Sequence, residues 1–188
     1  QTYRQSSFAT ESAWARDPDN RLLARGPRYR LPSWMLRDSA LRASGLLNPA
    51  VGGPPVRPYQ PDGVWEENFM GRFTYTPSEG AAQYRRTVYA FWRRSIAPTF
   101  LFDTAQRRAC EVRTTRTNTP LQALTLLNDE NFLEAARAAA IASLETPDPL
   151  NDLSLRILSR PPTDPEREVY LRTRDQALAH YREHPADA

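Results

Sequence analysis

Proline occurs 17 times in this chain and restricts its fold more than any other feature. It cannot sit inside a helix or a central strand, yet it fits the first turn of a helix. Asp17-Pro18-Asp19-Asn20 offers an aspartate cap followed by proline, and Asp148-Pro149 does the same. Thr119-Pro120-Leu121-Gln122 and Thr163-Asp164-Pro165-Glu166 add the threonine and the Gln or Glu of a capping box. Each of these four sites predicts a helix start.

Between them the apolar spacing is mostly helical. Leu31, Met35, Leu36 and Ala40 form a stripe that runs to Ser44-Gly45, where glycine can end a helix. Ala81, Tyr84, Val88, Phe91 and Ser95 predict another helix, with a strand as the alternative because of their β-branched and aromatic content. Leu121, Leu124 and Leu127 share a face. Asn128-Asp129 reads as a break, after which Leu133, Ala136, Ala140 and Leu144 resume a stripe. Leu150 to Leu158 reads as a short helix stopped by Pro161-Pro162, and Glu166 to Glu183 as a longer charged one. The stretch 48–77 holds Gly52-Gly53-Pro54-Pro55, Pro58-Tyr59-Gln60-Pro61 and Asp62-Gly63, which sustain neither helix nor central strand. Its aromatics Tyr59, Trp65, Phe69, Phe73 and Tyr75 suggest that this connection is packed. The expectation is a mainly α, irregular helical domain with a long Pro/Gly-rich connection at 48–77 and at most a minor β element.

Charge adds a second constraint. All 25 cationic residues are arginine, against 22 acidic ones. A GC-rich genome accounts for such a total. Planar guanidinium groups also suit carboxylates, phosphates and sulfates. The densest polar constellation runs from Arg93 to Gln122. A helix start at Pro120 preceded by arginines is physically an anion site. Its candidate ligand-binding residues are Arg107, Arg113, Arg116, Asn118 and Thr119, with Asp103, Cys110 and Gln122 in support. The bland alternative is that Asp103 and Glu111 pair with the arginines while Asn118 and Thr119 cap the helix. No catalytic residue is identifiable. Neighbouring cations would favour the thiolate of Cys110, but a Cys–His pair needs a histidine base, and only His180 and His184 exist. Those two share a helix face at a spacing that can hold a metal, yet their surroundings are ordinary surface charge. No metal site and no cofactor are expected in this chain. The balanced charge does not favour nucleic acid, and no apolar run reaches the roughly 18–20 residues of a membrane helix.

Several segments, in order, carry a family resemblance. They are Tyr3-Arg4-Gln5-Ser6-Ser7, Asp17-Pro18-Asp19-Asn20-Arg21-Leu22-Leu23, Arg37-Asp38, Ser44-Gly45, Gly52-Gly53-Pro54, Pro58-Tyr59-Gln60-Pro61, Tyr84-Arg85-Arg86 and Phe102-Asp103. Most specific are Arg116-Thr117-Asn118-Thr119-Pro120-Leu121-Gln122-Ala123-Leu124 and Leu127-Asn128-Asp129. Together they resemble a planctomycete C-terminal domain of unknown function, the DUF1553 family, found in large proteins that often carry an upstream cytochrome-c-like domain. The resemblance implies a bacterial protein exported when complete, with any haem in an upstream domain, since Cys-x-x-Cys-His does not occur here. It supplies no catalytic residue. The chain is then expected to be an N-terminally truncated C-terminal part, residues 1–184 forming one helical domain and 185–188 a frayed tail. Three functions follow, in order: a structural or assembly module partnered by the upstream domains, a domain binding carboxylated or sulfated glycans, and part of an active site shared with an upstream domain.

Overall fold

The structure, a computed structural model, describes residues 5–93, 96–104 and 115–187. The chain divides into two compact units, Gln1–Leu31 and Pro32–Ala188.

In the first unit, Thr10 caps α1 (Glu11–Arg16) by accepting from the Ala13 amide at 3.3 Å. Asp17 ends this helix instead of starting one, which corrects the expected helix start at Asp17-Pro18. Its two carboxylate oxygens accept the amides of Arg21 and Leu22, both at 2.8 Å. An aspartate satisfying amides four and five residues on closes a loop, and Asn20, at φ 52°, turns the chain out of helical geometry. Arg25 is buried at the centre. Its guanidinium donates to the carbonyls of Asp17 (2.7 Å) and Pro18 (2.6 Å) and lies 3.9 Å over the Trp14 ring. Gly26 brings its amide 2.9 Å from the Ser6 carbonyl, and a Cβ there would meet the Gln5 carbonyl oxygen at 2.6 Å, so only glycine fits without a shift.

The second unit is helical in the way the caps foretell. α2 (Ser33–Ser44) ends on Gly45 in the left-handed region. α3 (Val64–Asn68) is a short helix inside the Pro/Gly-rich connection. α4 (Pro120–Asn128) starts on a Thr119/Gln122 capping box. Asp129 ends α4 and caps α5 (Glu130–Leu144) at the same residue, which is the break read at Asn128-Asp129. Asp148 caps α6 (Pro149–Leu158), and a Thr163/Glu166 capping box starts α7 (Asp164–Glu183). Residues 185–187 form a 3₁₀ turn, and His180 Nε2 lies 3.2 Å from Asp187 Oδ2. Among the described residues the fold is mainly α, with two isolated parallel bridges, Asn48 with Arg85 and Val56 with Ala90, and no sheet.

The segment from Ala81 to Phe91 is not the expected helix. It holds two 3₁₀ turns, Gly80–Ala82 and Thr87–Tyr89, joined by a turn at Gln83 and Tyr84 and the bridge residue Arg85. The reason lies in where its carbonyls go. Those of Gln83 and Arg85 accept from the Arg37 guanidinium, that of Tyr84 from the Asn48 amide, and that of Tyr89 from the Val56 amide. Bonds that draw these carbonyls toward other parts of the chain hold the backbone out of helical geometry, so tertiary partners override the local spacing. Ser95 lies outside the described residues.

α2, α5 and α6 pack on one another. Ser143 on α5 donates to Asp152 on α6 at 2.7 Å, and Asp152 also holds Arg156 at 2.7 Å. The start of α7 is tied by two ion pairs, Arg160 with Glu166 (2.7 Å) and Arg167 with Asp148 (3.0 Å). Hydrogen bonding from Arg160, and then from Thr163, holds the Glu166 carboxyl down at about 2, and Arg167 likewise lowers Asp148. A carboxyl whose pKa is depressed by folding supports the fold above its ordinary range and stops doing so as pH falls toward its folded value. Amide protection factors in the first turn of α7 should therefore hold down to about pH 4.5 and decline from there toward pH 2. Glu166→Gln should give the low protection at every pH, and an unchanged profile in that variant would disprove the assignment.

Candidate functional site

The centre of the second unit is polar. α2 carries Arg37 into the interior, 1 % exposed, between Ser33 and Leu41 on the buried face. Its Nε donates to Asn131 Oδ1 (3.1 Å), one terminal nitrogen to the Arg85 carbonyl (2.9 Å) and Thr87 Oγ1 (3.3 Å), and the other to the Gln83 carbonyl (2.8 Å). The guanidinium carbon lies 5.2 Å from the Phe100 ring centroid. All four acceptors are neutral. Burial lowers the Arg37 pKa to about 10, partly offset by the charges of Asp38 and Asp129, so the group stays cationic at neutral pH.

The network extends at both ends. Asp38, the next residue, accepts the Thr87 amide and hydroxyl, each at 2.7 Å. Asp129, capping α5, accepts the Asn131 amide (3.0 Å) and side chain (2.8 Å) and the Thr99 hydroxyl (2.6 Å). Thr99, Asp129, Asn131, Arg37, Thr87 and Asp38 thus join α2, α5 and the connecting segments in one chain of bonds.

Arg85 plays the matching part for the 48–77 connection. It donates to the carbonyls of Pro54 (2.9 Å), Ala50 (3.3 Å) and Gly52, and stacks 3.9 Å from the Tyr89 ring. Tyr89 Oη in turn accepts the Gly52 amide at 2.8 Å. Beyond this loop, α3 places Trp65 against Phe69, Phe73, Tyr75 and Phe91, with ring centroids 5.0–5.8 Å apart. Its indole N–H donates to Gln60 Oε1 at 2.9 Å. The connection is packed, as its aromatics suggested. A half-buried pair sits nearby: Tyr84 Oη donates to Glu134 at 2.6 Å, which pushes the Tyr84 phenol up to about 12.

The anion-site candidates fare unevenly. Arg107, Cys110 and Arg113 lie outside the described residues, as does Glu111. Asp103, Thr117, Thr119 and Gln122 come together ahead of α4. The two Asp103 oxygens accept the Thr117 amide and hydroxyl, each at 2.7 Å, and Gln122 Nε2 donates to Thr117 Oγ1 (2.7 Å) and Asp103 (3.3 Å). Asp103 takes φ 58° to reach this position. The Asp103 carboxylate thus braces Thr117 and Gln122 ahead of α4. Arg116 and Asn118 are exposed on the same segment. At the far end, the His180 and His184 rings stack 4.7 Å apart, and among the described residues no group of three or more His, Cys, Asp or Glu is placed to hold a metal.

Sequence reasoning missed Arg37, Asp38, Arg85 and Asn131 as members of the interior polar network. The only trace was their place in, or next to, the segments that carry the resemblance. No periodicity marks an arginine that faces inward.

Fold and polar core together define a mainly α domain whose connecting segments are pinned by buried arginines. Residues 1–173 match the family model described as PSD1, protein of unknown function (DUF1553), and the chain belongs to that family. No curated protein and no solved structure matches it.

Proposed function

We propose that this chain is a structural and assembly module of a larger, exported planctomycete protein, with the upstream domains of that protein as its partner. The observation that carries this reading is the inverted amphipathicity of α4 and α5. α5 buries Asn131, Ala135, Ala139 and Ser143, small or polar residues that let it approach closely. It turns Leu133, Ile141 and Leu144 outward. α4 buries only Gln122 and exposes Leu121 (74 %), Leu124 (56 %) and Leu127 (71 %). No charged residue occurs from Thr117 to Asn128. Helices ordinarily keep their large apolar stripe inside, and a leucine-rich uncharged face turned outward marks a surface for another polypeptide. The arginines Arg37 and Arg85 are engaged with the chain's own carbonyls, which leaves them as scaffold.

Footprinting with a photoactivated carbene compares the 188-residue chain with the longer native protein. Leu121, Leu124, Leu133 and Leu144 should be labelled in the chain and protected in the longer protein. Equal labelling in both would overturn the reading. The competing reading, an anionic glycan site before α4, rests on the exposed Arg116 and Asn118 and on the N-terminus of α4. It gains if sulfated or uronic oligosaccharides raise the melting temperature of the chain and Arg116→Ala abolishes the rise without unfolding it. Haem binding stays with an upstream domain in this proposal.

A further inference from the structure

Between Leu133 and Leu144 the outward stripe of α5 contains one charge, and Glu130, exposed two turns before it, stands at the start of the helix. Arg137 is exposed, with Leu133 one turn before it and Ala140 and Ile141 one turn after. Such i±4 and i+3 neighbours share its face. The acidic residue best placed to pair with it on the helix, Glu134, already accepts from Tyr84. Among the described residues no hydrogen bond or ion pair of Arg137 is found. A guanidinium amid leucines is stable only while water reaches it. Whatever covers the stripe removes that water, and an uncompensated buried charge is strongly unfavourable.

We propose that the element docking on α5 is an amphipathic helix with a carboxylate at the centre of its apolar face, supplied by the rest of the larger polypeptide and paired with Arg137. This rests on the assembly reading above. A helix fits because the stripe runs from Leu133 to Leu144, three turns of α5, and knobs from another helix fill such a row. A carboxylate fits because it accepts a guanidinium in bidentate geometry. A second copy of this chain fits poorly: a two-fold axis at Arg137 opposes like charges, and the antiparallel register that pairs Arg137 with Glu130 instead runs Ile141 and Leu144 past the start of the other copy's α5.

The test uses the full 188-residue chain and two labelled helical peptides of about 20 residues. Each has leucines along one stripe, and they differ only in a central Glu or Lys on it. Fluorescence anisotropy should show the Glu peptide binding at least about tenfold more tightly than the Lys peptide. Arg137→Glu should reverse that order, and Leu144→Asp should weaken both peptides. Equal binding of the two peptides to wild type and Arg137→Glu would overturn the carboxylate pairing while leaving the assembly surface in place. Binding of neither peptide, with the chain monomeric by light scattering, would overturn both. A dimer that Leu144→Asp dissociates would overturn the proposal in favour of a second copy.

Discussion

Arg37→Ala is expected to lower the unfolding free energy of the chain by about 3–5 kcal/mol, measured by urea denaturation. The size follows from what the truncation leaves behind. Four acceptors, the carbonyls of Gln83 and Arg85, Thr87 Oγ1 and Asn131 Oδ1, lose their donor in the interior. Each stranded group costs about 1–3 kcal/mol unless water or a rearrangement reaches it. The cavity under Phe100 adds to this. Arg37→Lys is the discriminating companion. Lysine keeps the charge, but its single ammonium cannot reach three directions at once in the plane of a guanidinium. It should recover less than half of the loss. Full rescue by lysine would show that charge, through Asp38 and Asp129, matters more than the forked hydrogen bonds. A loss within 1 kcal/mol in the alanine variant would mean that the 81–91 segment is held by other contacts.

How far the sequence foretold this molecule depends on the range of the interaction. Caps act within one helical turn, and those at Thr119, Asp148 and Thr163 and the left-handed Gly45 stand where their residue types put them. Asp17-Pro18 has the same composition, yet its carboxylate turns to Arg21 and Leu22 because a helix already ends there. The 81–91 segment failed as a helix for a longer-range reason. Its carbonyls answer to Arg37, Asn48 and Val56, which lie 33 to 48 residues away for the bonded pairs Arg37–Arg85 and Val56–Tyr89. The apolar stripes on α4 and α5 were correctly read as helical, but periodicity reports only that a face exists, never what it faces. The stripe of Asn131, Ala135, Ala139 and Ser143 won the interior because Asn131 bonds Arg37 and Ser143 bonds Asp152. Of the anion-site residues, Thr119 and Gln122 were legible as a capping box, whereas the bonds of Asp103 to Thr117 and Gln122 were not. Their assembly with Thr117 depends on a φ of 58° at Asp103, a conformation that nothing in its neighbours' identities specifies.

Trp65→Ala should cost about 3–5 kcal/mol, by a different mechanism and in a different place. Trp65, 1 % exposed, is the ring that Phe69, Phe73, Tyr75 and Phe91 all touch. Removing it leaves a void that the surrounding rings can fill only by abandoning their stacked geometry. It also strands Gln60 Oε1. Trp65→Phe keeps a ring and loses the indole N–H, so its smaller cost, about 1–3 kcal/mol, measures the Gln60 bond together with a partial void. Tyr75 provides a local reporter. Burial pushes its phenol up to about 12, and its hydroxyl donates to the Pro58 carbonyl at 2.7 Å. If Trp65→Ala opens the cluster, NMR titration of ¹³C-labelled tyrosine should show the Tyr75 pKa falling back toward 10, its ordinary value. The rise of that pKa is itself coupled to stability: the neutral phenol is the folded form, so alkaline pH above about 10 should destabilise wild type through Tyr75. The alanine variant should have lost most of that dependence. A variant that unfolds at lower urea while Tyr75 still titrates near 12 would place the defect outside the cluster. The 48–77 connection would then be held mainly by Arg85 and its carbonyl partners.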